Sequence, residues 1–220
     1  MKNKLENDQS FEISLRVEEE EIVFSDEPSR YVFVSNGDIR VSAGDVALGE
    51  RKEIGEFRVI YVDLISAINE NVPIFDVLDC HSESAAHYWE LFNDDMDGTF
   101  SLPVIAAADL EDATWNPNLL ILDRLTIEPN YRGRGFGLDA LKLLMHRYRL
   151  GCGLIAMKPF PLQFQGAFDD SVLLQEQKAK YGLAGSALNS QQATKKLHKY
   201  YAKLGFKLAR KTNFMVLDPN

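Results

Sequence analysis

The sequence has only two cysteines, Cys80 and Cys152, in 220 residues, and no CxxC pair. That excludes a zinc knuckle and a disulfide framework. With nothing else pointing to an oxidising compartment, a Cys80–Cys152 bridge is not expected. No apolar run approaches the ~18 residues a membrane-spanning helix needs. The opening MKNKLENDQS lacks the apolar centre of a secretory leader. A cytoplasmic location without membrane association is therefore expected. Internal repeats and low-complexity tracts are lacking too. The histidines at 81, 87, 146 and 198 form no metal-ligand grouping. Asn93-x-Asp95-x-Asp97-Gly98 opens like a calcium loop, but its twelfth position is Val104 where a bidentate glutamate belongs, so no metal is expected.

What is present is an ordinary globular composition, long enough to bury a core in a single domain over 1–220. The net charge of −9 is unevenly spread. Residues 1–130 carry nine Lys and Arg against 28 Asp and Glu, and residues 131–220 carry fifteen against five. Solvated surfaces account for such a split. So does a basic half facing a polyanionic ligand and an acidic half facing a cationic one. An acidic chain without a recognisable binding motif is not expected to take nucleic acid as its partner.

The first half reads as strands. Residues 11–17 alternate as a half-buried strand does, 31–34 lead into the turn signal Asn36-Gly37, 39–41 and 46–48 are short strands, and 57–62 is a stronger one. Ser82 or Ser84 caps a helix through Phe92, with Tyr88, Leu91 and Phe92 inward. Residues 93–118 read as a long irregular connection. The second half is more regular: a strand over 119–127, a helix over 135–149 ended by Gly151 and Gly153, and a buried strand over 154–157. Helices follow over 169–181 and 191–204, and a hairpin joins 206–209 to 214–217 across 210–212. Strand–helix–strand implies a parallel pair with a right-handed crossover.

The strongest local signal follows the 119–127 strand and opens a helix: Glu128-Pro129-Asn130-Tyr131-Arg132-Gly133-Arg134-Gly135-Phe136-Gly137. Alternate glycines let the backbone turn tightly and approach a ligand. Free amides at a helix start form an anion site, and Arg132 and Arg134 add positive charge. A phosphate-bearing ligand is expected here; a tight turn with surface arginines is the plainer alternative. Leu138 stands where a dinucleotide fingerprint needs glycine, and no Lys-Ser/Thr follows as in a Walker loop.

Arg132-Gly133-Arg134-Gly135-Phe136-Gly137 resembles the pyrophosphate loop of the GNAT superfamily of acyl-CoA-dependent N-acyltransferases, Q/R-x-x-G-x-G/A. Downstream, Leu197-His198-Lys199-Tyr200-Tyr201-Ala202-Lys203-Leu204-Gly205-Phe206 resembles the family's LYxKxGF segment. The resemblance covers about 119–217 and leaves 1–118 unaligned. It implies a mixed α/β fold with antiparallel N-terminal strands, a splayed parallel central pair and helices on both faces. It also implies acetyl-CoA as cosubstrate and a primary amine as acceptor, in a monomer or homodimer. Leu125, Thr126 and Ile127 would lie along the pantetheine arm. The amides of Arg132, Gly133, Arg134, Gly135, Phe136, Gly137 and Leu138 would take the pyrophosphate. Tyr201 would be the general acid.

The chemistry suits those roles. A thiolate of pKa near ~8.5 can be reprotonated by a tyrosine of pKa near ~10, and an amine must lose a proton before attack. The alternative for Tyr201 is an ordinary core aromatic. Where many relatives carry a glutamate this chain has Ile121, which leaves open a non-catalytic acyl-CoA-binding or regulatory module. Asp123, two residues on, is the candidate base or substrate contact, or else a salt-bridge partner, for example of Arg124; Glu128 is the weaker candidate. Thr194 stands where relatives place an asparagine that contacts CoA. Residues 159–190, with Phe160, Phe164 and Phe168, exceed the family's usual length and read as a lid, a dimer element or packing. The acidic first half suggests a cationic acceptor, a polyamine, aminoglycoside or lysine side chain.

Overall fold

The computed structural model describes residues 11–19, 27–43, 51–93, 97–110, 116–164, 179–182 and 189–220. Alternating β-branched and aromatic residues form three long strands, β1 (Phe11–Glu19), β2 (Val32–Ala43) and β3 (Lys52–Val62), each antiparallel to the next. β3 pairs antiparallel with β4 (Leu119–Ile127), and β4 pairs parallel with β5 (Leu154–Met157). The hairpin of β6 (Lys207–Leu208) and β7 (Met215–Leu217) completes a seven-stranded mixed sheet in the order β1-β2-β3-β4-β5-β7-β6.

Helices cover both faces, so the architecture is α/β. Four short ones, α1 (Leu64–Asn69), α2 (Ile74–Asp79), α3 (Glu83–Ala86) and α4 (Leu102–Ala108), bury Leu64, Ile74, Leu78 and Val104 against Ile60, Val62, Leu119, Ile121, Phe214 and Val216. On the other face α5 (Phe136–Tyr148) places Phe136, Ala140, Leu141 and Leu144 against Phe57, Val59, Leu120, Leu122 and Ile155. The apolar residues of α6 (Ser190–Tyr201) join the same layer through Tyr200 and Tyr201. Among the described residues no helix is long and apolar enough to cross a membrane.

Several local expectations change. Asn36-Gly37 is no turn but the middle of β2. A Cβ on Gly37 would come within 1.9 Å of the Arg16 carbonyl oxygen and 2.8 Å of the Phe57 ring, so this glycine serves a close strand approach. The segments 31–34 and 39–41 are accordingly one strand. Ser82 does cap a helix, accepting from the Ala85 amide, but after Ala86 the chain tightens into a 3₁₀ turn, His87–Leu91. The irregular 93–118 stretch contains α4, whose Pro103 sits in the first turn, where its missing N–H costs nothing. Helices α1 and α2 were not legible: each is six residues long, too short for periodicity to register. The 135–149 and 191–204 helices and the final hairpin fall where expected, to within a residue or a final 3₁₀ turn. The strand expected over 46–48 lies outside the described residues, as does the 169–181 helix apart from 179–181.

One irregularity positions the site. Opposite β3, Arg58 pairs with Arg124 but Val59 with Leu122, so Asp123 is the extra residue of a β-bulge. Before it, Leu119 and Ile121 point to the α1–α4 face and Leu120 and Leu122 to the α5 face. After it the alternation inverts, and Leu125 and Ile127 pack on the α5 side.

Candidate functional site

The parallel pairing of β4 with β5 runs only from Leu119 opposite Leu154 to Ile121 opposite Ala156. Leu122 to Ile127 continue β4 with no strand partner on that side among the described residues. Two adjoining cavities occupy the opening. The larger, about 750 Å³, is lined by Leu125 to Ile127, the glycine loop, Phe160 to Leu162 and one side of α6. The smaller, about 70 Å³, is lined by Asp123, Arg124, Met157, Lys158 and Phe160 among others. Leu125, Phe160, Leu162 and Tyr201 belong to both.

The loop is built for exposed amides. A 3₁₀ turn at Pro129–Tyr131 follows β4, then Gly133 (φ 77°) and Gly135 (φ 92°) adopt left-handed backbone that side chains disfavour. Gly135 is the N-cap of α5 and offers no side chain to cap it. The Arg132 amide donates to Pro129 and that of Leu138 to Gly135. Between them the amides of Gly133 to Gly137 donate to no group among the described residues. At the start of a helix, such amides suit an anion. Of the expected set 132–138, the amides of 133–137 are therefore the ones without an acceptor among the described residues.

Three expected ligands sit differently. The Arg132 side chain is a clamp: Nε donates to the Ile127 carbonyl at 2.8 Å and the guanidinium also bonds the Tyr181 carbonyl, tying the loop to β4 and to the segment at 179–182. Burial pulls its pKa down, and it reaches the cavity wall with its Nε and one Nη already bonded to carbonyls. Arg134 stands over the Tyr131 ring, 5.8 Å from its centroid, and does not line the cavity. Thr194 does not line it either, because its hydroxyl donates back to Ser190 at 3.0 Å within α6. Ala193, Lys196 and Leu197 take that wall.

Tyr200 and Tyr201 meet edge to face, ring centroids 5.3 Å apart. Burial, reinforced by Tyr200, pushes the Tyr201 hydroxyl up to about 12, so it keeps its proton throughout the neutral range. That hydroxyl has no hydrogen-bond partner among the described residues, and Tyr201 lines both cavities. Tyr200 lies across the loop from Gly137, where only glycine leaves room for its hydroxyl.

Asp123 lines the small cavity and its side chain is 23% exposed. It pairs with Arg58, Nε to Oδ2 at 3.8 Å, across β3. Arg58 also donates to His81 Nε2 at 3.1 Å. Burial, then the Arg58 charge, lowers the His81 pKa, while Asp123 acts the other way. Tyr88 is buried close by, accepts a bond from the Lys158 amide at 3.1 Å, and is held well above its usual range by burial and by Asp123. Ile121, two residues before the bulge, is fully buried among apolar side chains. Glu128 sits beyond the strand end, its amide bonded to the Ile54 carbonyl.

Arg58, His81, Tyr88 and Lys158 were not picked out from the sequence. Arg58 occupies a polar position of an alternating strand, which carries no functional signal. The other three come together only through the tertiary fold. Among the described residues no group of three or more His, Cys, Asp or Glu could hold a metal ion, and both cysteines are free. Compared with protein-family models, curated proteins and solved structures, the chain matches none.

Proposed function

We propose that this protein is a GNAT-type N-acetyltransferase that moves an acetyl group from acetyl-CoA to a primary amine. One observation carries the reading. Where β4 parts from β5, the loop whose 133–137 amides donate to no group among the described residues lines the larger of two adjoining cavities, Asp123 lines the smaller, and the protonated Tyr201 lines both. The amides of 133–137 take the pyrophosphate, Leu125 to Ile127 lie along the pantetheine arm, and Lys196 and Lys203 supply positive charge to the wall. The two arginines of the motif contribute by holding the loop in shape.

Transfer proceeds by direct attack. Asp123 removes one proton from the acceptor ammonium, and the free nitrogen forms a C–N bond to the thioester carbon. The tetrahedral intermediate collapses with cleavage of the C–S bond, Tyr201 gives its proton to the departing thiolate, and the second nitrogen proton restores the tyrosine. The Asp123 proton then passes to solvent. A module that binds acyl-CoA without chemistry is the rival, favoured by the apolar Ile121.

Calorimetric titration with acetyl-CoA tests the first claim. Micromolar binding, weakened when Gly135 is replaced by a residue that resists φ 92°, supports it, and no binding sinks it. Thiol release in the presence of amines, lost in Tyr201→Phe while CoA still binds, separates enzyme from module.

A further inference from the structure

The glycine loop has little of its own to hold it. Gly133, Arg134 and Gly135 are exposed, and a Cβ on Gly133 would meet nothing within 4 Å. Gly133 and Gly135 stand in left-handed backbone, and Gly135 gives α5 no side-chain cap. Glycine-rich backbone has the most conformational freedom to lose. Such a loop binds an anion tightly only when something outside it holds the amides in place.

That support comes from within the long 159–190 stretch. The Gly182 amide donates to the Ala179 carbonyl at 3.1 Å and closes a turn over 179–182. On one side of this turn the Tyr181 carbonyl accepts from the Arg132 guanidinium, whose Nε also donates to the Ile127 carbonyl at 2.8 Å. Gly182 lies so close to Pro129 that a Cβ there would come within 2.8 Å of its ring, and it lines the large cavity together with the loop. On the other side the Lys180 ammonium spans two carboxylates of β3, Glu56 at 2.7 Å and Glu53 at 3.2 Å. Tyr181 itself is 2% exposed, so the turn is seated in the protein. Gly55 and Glu56 pair with Ile127 and Thr126, the last two residues of β4. The connections therefore form a closed ring: β3 to Lys180, Tyr181 to Arg132, and Arg132 to the strand beside β3. Glu53, Glu56 and Lys180 line neither cavity. By charge alone two carboxylates near this loop oppose a polyanion; through Lys180 they hold the loop in place.

We propose that the turn at 179–182 braces the cofactor loop, and that Lys180, Glu56 and Glu53 are positioning residues for acetyl-CoA, acting through Tyr181 and Arg132. This rests on the acetyltransferase reading and deepens it, giving part of the 159–190 stretch a role in the cofactor site.

Calorimetry with acetyl-CoA on the full chain separates the brace from plain electrostatics, because the two predict opposite signs. Glu56→Gln and the double variant Glu53→Gln/Glu56→Gln remove negative charge, which by itself tightens the binding of a polyanion. The brace predicts weaker binding, by about 3- to 10-fold in the double variant, because the loop must then be ordered on binding. Lys180→Met should weaken binding by a similar factor, and Lys180→Arg, which keeps the charge, should stay within about twofold of the wild type. In thiol-release assays the KM for acetyl-CoA should rise in step while kcat at saturation holds within about twofold. Denaturation midpoints show whether each variant is folded, and if the double variant is not, the single Glu56→Gln carries the same opposite-sign test. Unchanged or tighter binding in the folded glutamine variants overturns the inference, and so does a Lys180→Arg as weak as Lys180→Met. If the wild-type chain binds no acetyl-CoA, the acetyltransferase reading falls and takes this inference with it. If it binds and the glutamine variants bind as well, only the brace falls.

Discussion

The hydroxyl of Tyr200 occupies the space beside Gly137 so closely that a Cβ there would sit 2.4 Å from it. The first turn of α5 and the end of α6 therefore meet through a glycine with ordinary backbone, whose role is room and not φ. Gly137→Ala should push the tyrosine away, cost about 1–3 kcal/mol in stability by overpacking, and weaken acetyl-CoA binding. Tyr200→Phe in the same chain should recover most of the stability. Chemical denaturation and calorimetry would read both effects.

Tyr201 is expected to act only in the chemical step. Tyr201→Phe should lower kcat by about 100-fold or more and leave the acetyl-CoA dissociation constant within about twofold. Because burial pushes this hydroxyl up to about 12, the wild-type kcat should show no alkaline loss from this group below pH 10. Stopped-time thiol assays from pH 6 to 10 would show whether it does.

Asp123→Asn separates catalysis from stability. The Asp123–Arg58 pair is partly exposed and long, at 3.8 Å, so its loss should cost no more than about 1 kcal/mol. The kcat/KM for the amine should fall by about 100-fold or more if the carboxylate takes the proton. Equal and small losses in both would make Asp123 a structural residue only.

His81 links pH to stability. Its folded pKa lies below the ordinary 6.5, so as pH falls the unfolded chain takes up that proton first. The contribution is intact above pH 6.5 and is lost on acidification below it. His198 shifts in the same direction through burial, so the measurement is a difference. Denaturant midpoints compared at pH 7.5 and 5.5 should drop less in His81→Gln than in the wild type.

The two cysteines should react unequally. Cys152 is 6% exposed, its thiol donates to the Arg149 carbonyl, and burial pushes it up to about 11. Cys80 is exposed. Iodoacetamide at pH 8 should label Cys80 in the native protein and Cys152 only after unfolding, as peptide mass spectrometry would show.

The sequence by itself determined the glycine loop and its place between strand and helix, because φ above zero and unpaired helix amides are properties of a few adjacent residues. It likewise determined the long helices, the parallel step at 119–157 and the final hairpin, where periodicity runs long enough to read. It could not show that Asn36-Gly37 is a close strand contact, since the packing partners Arg16 and Phe57 are distant in the chain. Nor could it show that Arg132 and Arg134 are tied to a carbonyl and a ring, because what a guanidinium bonds depends on what the fold brings near. Asp123 was found for its position two residues beyond Ile121. What turns it from a simple strand carboxylate into the partner of Arg58 is the bulge, and a bulge is a relation between two strands. The tertiary structure alone decided that β4 parts from β5 after Ile121, and therefore that the loop, Tyr201 and Asp123 border one opening.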